Sequence, residues 1–318
     1  NTLLLESAEI VDKSGTKSII GASCALKIIC NDLNVAIQAI NDNGKSLIPQ
    51  LAKKLNAKSY DETTISLSYI RPPKNIDEET RLKFPSPLDA LRAVQNTLKE
   101  FKDITFAGVI AFDFINNFED IADVPQGLNS CPNLVFNLYD ISVVFDHIHK
   151  NAVVHGYAFS EKNKNECLIK AYKLKENLDA FNAELNLKHP KVDTLNCNVN
   201  ISDKEFSDLV VKIKNHIIKG DAFQVVPSRV FSLPCRDPFL SYAYLKEDNP
   251  SPYMYFIQDD KFTLIGASPE FALRYDKDSN EVSISPIAGT RPRGIDANDK
   301  IDPDLDARIE LELRMDKK

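Results

Sequence analysis

Short apolar runs that alternate residue by residue, and stop at tight-turn sequences, constrain this chain more than any other feature. Ser18–Ala22, Ala25–Cys30 and Val35–Ile40 carry the period of two expected of half-buried strands, with a turn at Asn31–Asn34. Asn41–Gly44 reads as a second turn, because Asn-Gly is a strong hairpin signal. Further strands are expected at Thr105–Phe112, Leu134–Phe145, Ala152–Phe159 and Ala222–Leu233. Hairpins are expected at Tyr253–Ile257 with Phe262–Ile265 around Asp259-Asp260, and at Phe271–Tyr275 with Glu281–Ser285 around Asp276–Asn280. Strands joined this tightly pair antiparallel, and the chain lacks a regular βαβ alternation. The expected class is therefore α+β, antiparallel sheets packed with flanking helices.

Three segments switch to the helical period. Ser86-Pro87 resembles an N-cap followed by proline at the first helical position. Behind it Leu88, Leu91, Val94, Leu98 and Phe101 form one stripe suited to packing on a sheet. A helix is expected from about Glu166 to Leu187, with Leu168, Tyr172, Leu178 and Phe181 near one face. The clearest helix follows Ser202, which forms a capping box with Glu205. Phe206, Leu209, Val210, Ile213 and Ile217 recur behind it, and Gly220 sits where a C-cap is wanted. The polar stretch Lys188–Asn200, with Pro190 near its start, reads as a linker between a region 1–190 and a region 200–318.

Composition narrows the function. With 318 residues, 43% of them hydrophobic, the chain can bury a core. A net charge of −7 argues against general affinity for nucleic acid or an anionic membrane. No apolar run reaches the roughly 18–20 residues of a membrane span, and no signal peptide is visible at the start, which is Asn1 rather than methionine. Cys24, Cys30, Cys131, Cys167, Cys197 and Cys235 are scattered and the histidines dispersed, without metal-ligand spacing, as in a reduced, cytoplasmic protein.

Chemistry-bearing segments are modest one by one. Gly289–Gly294 carries Arg291 and Arg293 after an apolar strand, and could offer backbone N–H groups and guanidinium forks to a carboxylate or phosphate. Taken alone it reads more simply as a solvated turn. Glu270 follows a strand end, a common place for a surface carboxylate, and Asn249–Tyr253 is a double-proline loop of a kind that usually only turns the chain.

Their combination is specific. GDAFQVVPSRVF (Gly220–Phe231), NPSPYMYF (Asn249–Phe256), LIGASPE (Leu264–Glu270), PIAGTRPRG (Pro286–Gly294) and LDARIELELR (Leu305–Arg314) occur in one order and spacing. This set resembles the chorismate-binding domain shared by anthranilate, aminodeoxychorismate, isochorismate and salicylate synthases. LLLESAEI (Leu3–Ile10), FEDIADVP (Phe118–Pro125) and NSCPNLVFNLY (Asn129–Tyr139) resemble the N-terminal half of anthranilate synthase large subunits of the enterobacterial type. Region 1–190 would then carry part of a tryptophan site, and region 200–318 the first part of the chorismate-binding domain.

Two positions sort the branches of that family. Where some aminodeoxychorismate synthases have a loop lysine whose amine attacks the ring, this chain has Ala288. Where isochorismate and salicylate synthases have a lysine acting as base, it has Gln224, which cannot serve as a general base at neutral pH. Both point to the ammonia-dependent anthranilate branch. Aminodeoxychorismate synthases that also lack the loop lysine remain an alternative, as does a non-catalytic protein that keeps only the tryptophan pocket.

The resemblance implies a lyase. Chorismate, held with Mg2+, is attacked by ammonia from a separate glutamine amidotransferase subunit in a heterodimer or heterotetramer; hydroxide and pyruvate are lost, and L-tryptophan inhibits. Gly289 and Thr290 would contact chorismate, with Gln224 and Glu270 in the same cleft. Glu6, Ser7, Lys17, Asn249, Pro250, Pro252, Tyr253, Met254 and Gly266 would form the L-tryptophan site. The resemblance places no metal ligand within the chain: the metal glutamates, with an acid–base histidine, are expected beyond Lys318. The 318 residues alone are accordingly expected to be inactive and poorly soluble.

Overall fold

The computed structural model describes residues 1–8, 16–119, 121, 131–181, 197–284, 289–297 and 300–315. It divides into two compact units, Asn1–Phe181 with Leu245–Lys318, and Asn182–Tyr244. In chain order the first unit opens with β1 (Thr2–Glu6), β2 (Lys17–Asn31), β3 (Asn34–Ala39), α1 (Asp42–Lys45), α2 (Ile48–Lys54), β4 (Ser59–Tyr60) and β5 (Thr64–Ser68). It continues through α3 (Glu78–Leu82), α4 (Leu88–Thr97), β6 (Thr105–Ile110), β7 (Leu134–Asp146), β8 (Asn151–Gly156) and α5 (Lys164–Ala180). After β9 (Asn198–Val199), α6 (Asp203–Lys219), β10 (Phe231–Ser232) and α7 (Pro238–Asp248) come β11 (Tyr253–Gln258), β12 (Thr263–Ser268), β13 (Arg274–Asp276), β14 (Glu281–Ser283) and α8 (Pro303–Arg314). Antiparallel sheets with helices against them give the α+β class that the sequence suggests.

Two long strands organise the main sheet. The first half of β2 pairs with β1, which continues to β11 and through it to β12, whereas the second half of β2 pairs with β3, which continues to β5 and β4. On its other edge β2 runs along β7, whose two halves in turn carry β6 and β8. The sheet therefore has two halves that share β2 and β7, and the register between these slips at Gly21–Ser23, Ser23–Cys24 and Cys24–Leu26. Bulges of this kind strengthen the local twist and re-aim side chains. The two segments expected as separate strands, Ser18–Ala22 and Ala25–Cys30, are thus one irregular strand.

The half built on β3 and β5 holds the main core. Leu26, Ile28, Cys30, Val35, Ile37 and Ile65 pack under Leu51 of α2 and Ala90 and Val94 of α4. The stripe of α4 packs as expected, with Leu88, Leu91 and Phe101 at its margin. Its start differs: Pro87 is the capping position, and Ser86 contributes its backbone N–H to the Asp89 carboxylate at 3.0 Å. The half built on β1, β11 and β12 has a thinner cluster of Leu3, Cys24, Tyr139 and Ile257. Lys27 reaches into it: its ammonium meets the Asp259 carboxylate at 2.5 Å, and the two side chains are only 5% and 4% exposed.

Three expectations need correction. Asn41–Gly44 is not a hairpin turn, because the Asn41 side chain accepts the Gly44 N–H at 2.9 Å and starts α1. Asn43 is buried there and donates to Asp140 at 3.0 Å and to the Tyr157 carbonyl at 2.7 Å. In α5 the face toward the sheet carries Cys167 and Ala171, the latter beside Gly156, while Leu168 and Tyr172 are exposed. Ala222–Leu233 is strand only at β10, which pairs with the two residues of β9, and Phe223 and Val226 are fully or largely exposed. A period of two is not sufficient for a strand without a long partner to complete its ladder.

In the second unit the capping box of α6 is present, and Gly220 closes the helix at φ +84°. Phe206, Leu209, Val210 and Ile213 are the half-buried face of α6. Arg229 pairs with Asp203 and lies over the rings of Phe206 and Phe231, at 5.2 and 4.6 Å. Most of the expected linker Lys188–Asn200, parts of the motifs at Phe118–Pro125 and Asn129–Tyr139, and Ala288 lie outside the described residues. No helix among the described residues is long and apolar enough to cross a membrane.

Candidate effector cleft and substrate loop

The sheet topology brings sequence-distant segments to one place. β1 pairs with β11 from Thr2↔Gln258 to Glu6↔Met254, which sets the end of β1 beside the double-proline loop. The Ala8 N–H extends the contact to the Ser251 carbonyl at 3.0 Å. A cleft of about 420 Å³ opens there, lined by Glu6, Lys17, Pro252, Tyr253 and Met254 among the residues expected for the L-tryptophan site. Its volume falls within the roughly 300–1,000 Å³ of small-molecule sites. The Glu6 carboxylate accepts from the Lys246 ammonium at 2.5 Å, and Lys17 is exposed at the rim.

The remaining expected residues stand close by in different roles. Ser7 follows Glu6, and its backbone N–H reaches the Ser18 hydroxyl at 3.4 Å. Gly266 on β12 faces Tyr255, and a Cβ there would fall 2.2 Å from the Tyr255 hydroxyl oxygen. Gly266 thereby leaves room for a ring that itself lines the cleft. Asn249 and Pro250 end α7 and lead into the loop, with the Asn249 N–H on the Leu245 carbonyl at 2.9 Å.

Leu5, Thr16, Tyr255, Phe271, Leu273 and Arg274 complete the lining, and sequence reading missed them. Phe271 packs edge-on to Tyr253 with ring centroids 6.0 Å apart. Only the hairpin register could have revealed this, since Phe271–Arg274 carries no local motif. A larger cleft of about 620 Å³ lies between β8 and α5. None of the expected site residues lines it.

The loop 289–294 is held by α8. The Arg293 guanidinium forks onto Asp306, Nε to Oδ1 at 2.9 Å and Nη2 to Oδ2 at 2.6 Å. The Gly294 N–H adds a third bond to the same carboxylate at 2.8 Å. Arg293 first, and then the Gly294 N–H, hold the Asp306 carboxyl below the usual range. A Cβ at Gly294 would lie 2.3 Å from the Asp306 backbone nitrogen, so the glycine is required for this approach. Arg293 is therefore engaged within the protein, whereas Arg291 is exposed and donates to the Thr290 carbonyl at 3.0 Å.

Gly289 and Thr290 are exposed, and Glu270 is half-buried after a serine turn in which the Ser268 hydroxyl donates to the Glu270 carbonyl at 2.9 Å. Gln224 is exposed in the second unit. Among the described residues no group of three or more His, Cys, Asp or Glu side chains is placed to hold a metal ion.

A sequence model of the chorismate binding enzyme family matches residues 51–318. The chain belongs to this family. It is 39% identical over 332 residues to anthranilate synthase component 1 of Vibrio parahaemolyticus, and 40% identical over 326 residues to that of Escherichia coli K12. Both matches cover 100% of this chain but 60% and 62% of those proteins, so the chain spans about three fifths of their length. The crystal structure of anthranilate synthase component I from Streptococcus pneumoniae covers 85% of this chain and 53% of its own at 20% identity, with a TM-score of 0.55, a likeness of fold. The chorismate-binding family thus accounts for both the motif order and the architecture.

Proposed function

We propose that the chain is part of the large subunit of an anthranilate synthase, a cytoplasmic lyase of tryptophan biosynthesis, and that the 420 Å³ cleft binds L-tryptophan as feedback inhibitor. One observation carries the inhibitor reading. Glu6 and Lys17 from the first sheet strands, and Pro252 from the double-proline loop with Tyr253 and Met254 at the start of β11, more than two hundred residues away, line the same cleft. Leu5, Pro252, Met254, Phe271 and Leu273 offer apolar surface to an indole, and Glu6, Lys17 and Arg274 offer charges of both signs to an amino acid's ammonium and carboxylate.

The reaction proposed for the whole protein joins chorismate and ammonia, delivered by a glutamine amidotransferase subunit, and releases water, pyruvate and anthranilate. Within this chain Gly289 and Thr290 bind chorismate, and Gln224 and Glu270 are the catalytic candidates. The clamp of Arg293 on Asp306 supports a preformed loop for that purpose. The likeness to relatives extends over only about three fifths of their length, so the reaction is proposed for the whole protein and these 318 residues by themselves for ligand binding without turnover.

The chain has no tryptophan, so the indole of the ligand is the sole indole in a binding experiment. Its fluorescence should shift saturably on titration with the protein. Lys17→Gln, at an exposed position, and Met254→Ala should each weaken binding by about tenfold, equivalent to about 1.4 kcal/mol. Absence of saturation at millimolar ligand, or an affinity in both variants equal to that of the unmodified chain, would overturn the inhibitor site. Anthranilate formed from chorismate and ammonia by the 318-residue chain would overturn the restriction to binding.

A further inference from the structure

The ladder between β1 and β2 runs only from Leu3↔Gly21 to Leu5↔Ile19. The next residues, Glu6–Ser7 after β1 and Thr16–Ser18 at the start of β2, are not paired with each other, although Glu6 pairs with Met254 and Lys17 and Ser18 pair with Asp146 and Phe145; Glu6, Thr16 and Lys17 among them line the two lips of the cleft. Each lip is thus held by its own outer neighbour, and a contact that ties the two to each other lowers the cost of ordering the site when ligand arrives.

One turn contacts the second lip directly and the first through Ser18. His147 lies in the turn that leads from β7 to β8, and its Nε2 is 2.7 Å from the Ser18 hydroxyl oxygen. Ser18 is only 5% exposed, and the same oxygen receives the Ser7 N–H at 3.4 Å. The His147 backbone N–H also donates to the Thr16 carbonyl at 2.9 Å. The turn that presents His147 is itself fixed: Asp146 Oδ1 accepts the N–H groups of Ile148 at 3.0 Å and His149 at 2.9 Å, and its Oδ2 meets the His149 ring at 2.9 Å.

We propose that His147 is a positioning residue of the effector cleft, acting through Ser18 on Ser7 and through the Thr16 carbonyl on Lys17. In this relay Ser18 Oγ accepts the Ser7 N–H and donates its own proton to Nε2, the arrangement that goes with the His147 proton on Nδ1. The chain Ser7 N–H to Ser18 O–H to His147 Nε2 thereby continues the interrupted β1–β2 ladder with side chains. His147 does not line the cleft and no contact with ligand is assigned to it; it sets the separation of Glu6 from Lys17. The proposal rests on the L-tryptophan reading for its effect on affinity, but not for the relay.

Two measurements keep these apart. In the ligand-free protein, amide hydrogen exchange at Ser7 should be protected, should speed up roughly three- to tenfold in His147→Ala, as for one lost hydrogen bond, and should return to the original rate in His147→Gln, whose amide can still accept from Ser18. L-tryptophan affinity should fall by the same three- to tenfold in His147→Ala and in Ser18→Ala, recover within twofold in His147→Gln, and be no lower in the double alanine variant than in either single one. Unchanged Ser7 exchange in His147→Ala, equal losses in His147→Ala and His147→Gln, or losses that multiply in the double variant would each overturn the relay. Protected exchange with the expected variant pattern but no tryptophan binding by the unmodified chain would uphold the relay and overturn the inhibitor reading alone.

Discussion

The two halves of the main sheet share β2 and β7 but are stabilised by different means. Where β2 pairs with β3, helices α2 and α4 cover the sheet and a continuous apolar core forms around Leu26, Ile28 and Leu51. Where β2 pairs with β1, the buried apolar cluster reduces to Leu3, Cys24, Tyr139 and Ile257, and the candidate effector cleft opens at the strand ends. Binding surface and core packing compete for the same sheet area. The half that offers a cleft has fewer apolar contacts, and is held instead by directional contacts such as the Lys27–Asp259 pair and the Ser18–His147 bond.

The sharpest way to break this comparison is at Lys27. Lys27→Met leaves Asp259 buried without its cation and should cost about 3–5 kcal/mol, whereas Lys27→Met combined with Asp259→Leu should recover most of that loss. Urea denaturation of the three proteins checks it; additive losses in the double variant would show that the pair does not bridge the halves. Next in size, Ile28→Ala should lie in the upper part of the roughly 2–5 kcal/mol range for large-to-small core changes, and Ile257→Ala at its lower end, because the sparser half can relax around the cavity. Equal losses would erase the distinction between the halves.

Smaller again is Gly21→Ala, at the register slip that separates the halves. Its new methyl would fall 2.5 Å from the Tyr139 ring, and Tyr139 is fully buried, so a loss of about 1–3 kcal/mol is expected in the same assay. The smallest effect concerns Asp146, whose carboxyl is pulled down to about 2, chiefly by the His149 N–H and then by the His149 side chain. A depressed carboxylate contributes stability above its unfolded value near 3.9, and that contribution is lost as pH falls through about 2. Between pH 4 and 2 the wild type should therefore lose stability more steeply than Asp146→Asn, as thermal unfolding across that interval would show.

Sequence reading recovers the helix-covered half well, because its signals are local. The stripe Leu88–Phe101 and the alternation of β3 each record burial on one face, and burial is what the structure finds there, while β7 is buried on both faces over most of Leu134–Val143. It fails where a side chain overrides a backbone preference. Asn43-Gly44 suits a hairpin turn, yet Asn41 caps the segment into a helix and Asn43 is spent on Asp140 and Tyr157. In α5 the large residues Leu168 and Tyr172 suggest the buried face, but the close approach of Ala171 to Gly156 selects the small one. The same contrast holds in the cleft. Glu6, Pro252 and Met254 are legible through motifs, whereas Phe271, Arg274 and His147 reach the region only through hairpin register and a turn.

The clamp between the loop 289–294 and α8 also limits how this sequence can drift. Arg293 and Asp306 bond to each other through side chains, so either can be replaced only in step with the other, and a neutral pair of matching shape could inherit the role. Gly294 has no such freedom. What it would strike is the backbone of Leu305 and Asp306, and no exchange of side chain at those positions could make room. Over many substitutions the charged pair would surface as two covarying columns, and the glycine as an invariant one, two distinct historical signatures left by a single point of contact.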